Sequence, residues 1–214
     1  MIRIDIFADV VCPWCYIGEK RLQAALDQRP DLQVERHWQP FQLRPDMPVE
    51  GEDWETFVNE KFGGMERAGQ MFENVVQAGA DSGIEFRFDR MTRSPNTVNA
   101  HRLILLAAGQ GIEWEMVHKL FEEHFTEGTN LSDADSLVEA AVELGLDADL
   151  VREFLDGAEG QAEVFESQQV AEQLGISGVP FFIFDSRLAV SGAQPAEVFQ
   201  QVLDRVISEN AAAD

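Results

Sequence analysis

The sequence predicts an α/β fold: one domain built on a four-stranded sheet, interrupted in the middle of the chain by a long helical insertion. Three observations carry this. Apolar residues alternate at the start of the chain, as they do in a strand. Between residues 51 and 174 the apolar period is that of helices, and after Gly175 strand patterning returns. The chain thus reads as residues 1–50 (first part of the sheet domain), 51–174 (insertion) and 175–214 (second part).

Ile2, Ile4 and Ile6 alternate with Arg3 and Asp5 and predict the first strand. From Pro13 onward, Tyr16, Ile17, Leu22, Ala25 and Leu26 recur at helical spacing until Arg29 and Pro30 stop the pattern. LQVERHWQPFQL (32–43) is rich in strand formers, with Pro40 marking a bend or an edge. In the insertion, Ser94 and Pro95 predict a cap and first-turn proline for a helix through His101, Leu103, Leu106 and Ala107. Ser132, with Asp135 three residues on, predicts a second cap, and Gly145 closes that helix. Trp114, Val117, Leu120, Phe121 and Phe125 form another stripe, as do Val164, Ala171 and Leu174 before Gly175. Phe181 to Phe184 and Leu188 to Ser191 are two short strands about a turn at 185–187, and Pro195 opens a final amphipathic helix.

The chain has 214 residues, is 45% hydrophobic and carries a formal charge of −23, which leaves ample material for a core without a disulfide. Its lysines, Lys20, Lys61 and Lys119, are few and scattered, so no basic surface exists to meet phosphates, and nucleic acid and anionic membrane are not expected partners. The N-terminal run contains Arg3 and Asp5 and no small-residue cleavage site, and no run approaches the roughly 18 apolar residues of a membrane span. A soluble, cytoplasmic protein is expected, in a compartment where a cysteine pair is more often catalytic or metal-binding than structural.

Both cysteines lie in DVVCPWCYIGEKRL (9–22). A cysteine at the first turn of a helix faces unpaired amides at the positive end of the helix dipole, which favours the thiolate. Cys12 is therefore the expected exposed nucleophile, and Cys15, one turn further in, the thiol that resolves its mixed disulfide. Pro13 suits the first helical turn. Trp14 adds no cation beside the sulfur; it offers either an apolar surface to a partner or packing against the insertion. Zinc would need further ligands, and His118 and His124 lie about 100 residues from the cysteines where zinc fingers keep the halves roughly 12 to 15 apart, so no metal is expected. SGVPFFIF (177–184) supplies Pro180 after Val179, where a cis bond would offer the backbone of Val179 to an extended substrate.

FADVVCPWCYIG, SGVPFFIF and VSGAQP together resemble the DsbA-like branch of the thioredoxin superfamily, and within it the FrnE-like proteins. The resemblance spans essentially the whole chain. It implies a thioredoxin fold, a mixed four-stranded sheet flanked by helices with a large all-helical insertion. It also implies dithiol–disulfide exchange through Cys12 and Cys15, a cis Pro180, substrate pairing at Val179, and Gly192, Ala193 and Gln194 near the site. Two departures stand out. The acid that thioredoxins often keep six residues before the first cysteine is replaced by Ile6, and Asp9 is read as solvated, leaving the acceptor of the Cys15 proton unassigned. The second cysteine pair of some FrnE-like members is absent.

SPNTVNAHRL (94–103) is also similar to the insertion segment of kappa-class glutathione transferases and 2-hydroxychromene-2-carboxylate isomerases. There the nucleophile position is usually serine. If glutathione is a co-substrate, Asn96, His101 and the turn at 192–194 are the expected contacts. A non-catalytic scaffold is disfavoured, since incidental thiols risk oxidation. The expected protein is a cytoplasmic disulfide reductase or isomerase, monomeric or homodimeric, with no tightly bound cofactor. Disulfide-containing proteins or small thiols are its expected substrates.

Overall fold

The structure, a computed structural model, describes residues 1–213. Strands β1 (Ile2–Ala8), β2 (Val34–Pro40), β5 (Phe181–Phe184) and β6 (Leu188–Ser191) form one sheet in the order β2-β1-β5-β6. β1 pairs parallel with β2, with Ile2 opposite Val34 and Ile6 opposite Trp38, and antiparallel with β5, with Ile4 opposite Phe184. The alternation in β1 explains its central place: Ile2, Ile4 and Ile6 are buried on one face and Phe7 on the other. Helices α1 (Pro13–Asp27) and α9 (Ala196–Ala213) pack together, and Phe199 meets Phe182 edge-on at 4.9 Å. Full burial of a phenylalanine such as Phe182 is worth about 1.5–3 kcal/mol.

Between β2 and β5 lie β3 (Glu52–Asp53), α2 (Trp54–Phe62), α3 (Met65–Ala80), β4 (Arg93–Ser94), α4 (Val98–Gly109) and α5 (Glu113–Glu122). A π-helical turn (Glu123–Glu127) leads on to α6 (Ala134–Glu143), α7 (Ala148–Asp156) and α8 (Gln161–Gln173). The insertion shares its core with the sheet: Trp38 of β2 lies against Trp114 and Phe121 of α5.

Four local expectations change. The insertion is not all helical, because Glu52 and Asp53 pair antiparallel with Ser94 and Arg93. That pairing holds Ser94 in a strand, so α4 starts only at Val98, whose amide donates to Asn96 Oδ1. The cap of α6 is Asp133, which accepts from the Ser136 amide, while Ser132 Oγ accepts from the Asn96 amide instead. Leu174 points outward, 57% exposed, as the residue that ends α8 before Gly175 turns with φ +72°.

Candidate active site

β1 ends at Ala8, and the loop that follows delivers Cys12 to the head of α1 as its N-cap, with Pro13 in the first turn. The Cys12 amide donates to Asp9 O at 3.0 Å, and Cys12 O accepts from the Cys15 and Tyr16 amides. Both cysteines are free thiols. The Cys12 Sγ lies 3.7 Å from the main-chain oxygen of Val179. Burial pushes the Cys15 thiol well above its ordinary range; the hydrogen bond and charge of Cys12 add to this, and the main-chain amide of Asp9 opposes it.

Cys12 is less exposed than its place in the sequence suggested. Only 5% of its surface is open, because the sulfur turns toward the Val179 carbonyl, while Trp14 beside it is 40% exposed. No aromatic packing of the indole on the insertion is found among the described residues.

Pro180 is buried and follows a cis peptide bond from Val179. Its oxygen accepts from the Gly192 amide at 2.8 Å, which draws the 192–194 turn to the site. Arg21, a residue the sequence did not single out, fixes that turn by donating to Ala193 O at 2.7 Å, and Gln194 Nε2 donates to Ser191 O. Residues 175–181 and 191–192 border an open groove of about 400 Å³. Gly18 makes the close approach of α1 possible: a Cβ there would stand 2.9 Å from Pro180 Cγ.

Asp9 is not solvated. It is 1% exposed, its Oδ2 accepts from the Leu43 amide at 2.8 Å, and its Oδ1 lies 3.4 Å from His101 Nε2. His101, expected as a glutathione contact, is fully buried and faces this carboxylate. The Trp38 Nε1–H donates to His101 Nδ1 at 3.1 Å; an indole only donates, so Nδ1 is bare and the neutral ring carries its proton on Nε2. Asn96 is likewise engaged internally, its amide group donating to Met47 O.

Beside Pro13, the loop of Asp9 and Val11 opens on an apolar chamber of about 100 Å³ between the head of α1 and the insertion. Its walls include Trp54, Phe57, Phe62 and Phe72, with Lys61, Arg44 and His124 also on the lining. Nothing local in the sequence marks these residues as neighbours of the loop that carries Cys12. His118, for its part, lies 2.8 Å from Glu19, and among the described residues no group of three or more metal-ligating side chains comes together.

Burial depresses the His124 pKa to about 4. Between that value and the unfolded value near 6.5, the unfolded chain binds a proton that the folded chain does not. Stability should therefore fall as pH drops through this window, by about 3 kcal/mol from this group by its lower end. Urea unfolding at neutral pH and near pH 4 should show a weaker pH dependence for His124→Gln than for the wild type; equal dependence would contradict this.

The fold and the cysteine pair define a dithiol protein of the thioredoxin type. Residues 3–204 match the DSBA-like thioredoxin domain, and the chain belongs to that family. It is similar to a Streptomyces coelicolor protein described as a probable DsbA oxidoreductase, with 35% identity, a TM-score of 0.89 and coverage of 98% of this chain and 91% of that one. YwbO of Bacillus subtilis is 27% identical over 94% of this chain and 96% of its own. The cytosolic disulfide reductase DsbM of Pseudomonas aeruginosa, solved with GSH, shares the fold, with a TM-score of 0.66, 22% identity and coverage of 96% and 99%. No helix among the described residues is long and apolar enough to cross a membrane.

Proposed function

We propose that the chain is a cytoplasmic thiol–disulfide oxidoreductase, acting as a disulfide reductase or isomerase. The observation that carries this reading is the asymmetry of the pair: Cys12 caps a helix beside the Val179 carbonyl, while Cys15 is buried behind it with its proton held. The Cys12 thiolate attacks one sulfur of a substrate disulfide, whose other sulfur leaves as a thiolate. Cys15 then gives up its proton and attacks Cys12 Sγ, releasing the substrate reduced and the protein as a disulfide. Asp9 is our candidate acceptor for that proton, supported by its burial and by the effect of its charge on Cys15. Val179 and the 192–194 turn hold an extended substrate, and Pro13 and Trp14 form the rim it meets. A couple lying above the cytosolic poise of about −220 to −320 mV is kept as the dithiol by that pool and so acts as a reductase or isomerase.

The reading is tested by dithiothreitol-driven reduction of a disulfide-bonded test protein. Acceleration by the wild type, and none by a variant with both cysteines changed to serine, is the expected result; equal rates would overturn it. A second reading, a glutathione-dependent transferase or isomerase, draws support from the likeness to DsbM solved with GSH. Glutathione affinity that survives removal of both sulfurs, without dithiol turnover, would favour it.

A further inference from the structure

The chamber beside Pro13 combines an aromatic wall with a cation at its rim. Its wall is a chain of rings: Trp54 stacks on Phe72 at 5.9 Å and Phe72 on Phe88 at 4.4 Å, while Met47 and Met91 supply adaptable sides. Yet a cation, the exposed side chain of Lys61, also stands at its rim. Lys61 Nζ lies 5.2 Å from the Phe57 ring and 5.7 Å from the Phe62 ring, and among the described residues it has no carboxylate at ion-pair distance.

The neighbouring charges do not neutralise it. Arg44, the other cation on the lining, is already paired with Glu52 at 2.8 Å. Asp9 lies at the floor with Oδ2 on the Leu43 amide and Oδ1 toward His101. Desolvation against the rings lowers the Lys61 pKa, the charge of Cys12 raises it, that of Arg44 lowers it further, and that of Asp9 raises it. Lys61 is exposed at the rim, so a ligand anion seated in the chamber would gain a charge-assisted contact with its ammonium.

We propose that the chamber binds the apolar, negatively charged half of a small disulfide, an aryl or short acyl carboxylate bearing sulfur, with its carboxylate on Lys61 and its sulfur at Cys12. This rests on the dithiol reading and names its substrate class. Size agrees: cavities of about 150 Å³ take up benzene, so this one accepts one ring that projects into the mouth, or a short acyl chain, and not a peptide segment. The Cys12 thiolate attacks the sulfur of the charged half, and the other half leaves as a thiolate with the electron pair. Cys15, its proton lost, then attacks Cys12 Sγ and expels the charged thiolate. The substrate disulfide gains two electrons and the protein dithiol loses them.

The test is single-turnover oxidation of the reduced protein by two aryl disulfides, dianionic dithiobis(nitrobenzoate) and neutral dithiodipyridine. Any effect of Lys61→Gln on the nucleophile itself is common to both reagents, so the ratio of the two rates isolates recognition. Lys61→Gln should lower that ratio by about tenfold, the effect of losing one charge-assisted contact of roughly 1.4 kcal/mol, and Lys61→Arg should restore most of it. An unchanged ratio in Lys61→Gln would overturn the proposal while leaving the dithiol reading intact. If neither reagent yields a Cys12–Cys15 disulfide in the wild type, the dithiol reading itself falls and this proposal with it.

Discussion

Cys12→Ser is expected to reduce turnover to the uncatalysed background, whereas Cys15→Ser is expected to trap substrate covalently on Cys12. The difference follows from where the two sulfurs lie. In Cys12→Ser the remaining thiol is 1% exposed, and burial holds it protonated, so it cannot take over the attack. In Cys15→Ser the nucleophile keeps its helix cap and its place beside Val179, but the mixed disulfide has no internal thiol to resolve it. It should persist until an external thiol releases it. Non-reducing electrophoresis and intact mass after mixing with a disulfide substrate read both outcomes. An active Cys12→Ser variant, or a stable adduct on Cys15, would reverse the assignment.

Arg102→Met is expected to cost about 3–5 kcal/mol of folding stability while leaving the chemistry of Cys12 untouched. Arg102 is 1% exposed. Its guanidinium donates to the main-chain oxygens of Phe154, Leu155, Gly157 and Glu159, and to Asn99 Oδ1. Phe154 and Leu155 lie in the last turn of α7, where a helix leaves its carbonyls without internal partners. One side chain of α4 therefore closes the end of α7 and the loop that leads to α8. Methionine fills comparable space but strands Leu155 O, which is buried, and several partly buried acceptors, a buried one costing about 1–3 kcal/mol if left unpaired. Lysine restores the charge but not the planar fork, so Arg102→Lys should recover only part of the loss. Urea unfolding measures this, and a loss below about 1 kcal/mol would contradict it.

Neither Arg102 nor Asp9 could be read from the sequence, and the reason is the same for both. Their partners come from distant segments: the main-chain acceptors of Arg102 lie more than fifty positions further along the chain, and Leu43 reaches Asp9 across 34. Without those partners Asp9 reads as a loop carboxylate, and its neighbour His101 as a polar residue on a helix face. What was legible was local and periodic. Ile2, Ile4 and Ile6 marked β1, the run 181–184 marked β5, and Gly145 and Gly175 closed their helices with positive φ. The Cys12 to Cys15 spacing, with Pro13 between, placed the pair at a helix start.

Local signals failed where a longer-range pairing competed with them. Ser94 and Pro95 have the form of a helix start, but Ser94 pairs with Glu52 across the insertion and delays the helix to Val98. Ser132 lost the cap of α6 to its neighbour Asp133 because its hydroxyl is taken by the Asn96 amide. The chamber was invisible for a similar reason: Lys61 reads as one of three scattered lysines, and its rings come from separate stretches of the insertion that meet only once α2 packs on α3 and α3 on α1.

The most direct test is the mass of the protein after acid quenching from a graded glutathione redox buffer. The account predicts a reversible, two-electron interconversion of the dithiol with an intramolecular Cys12–Cys15 disulfide, with a single midpoint and no lasting glutathione adduct. A protein that stays fully reduced, or that accumulates only a glutathione adduct without that disulfide, would contradict it.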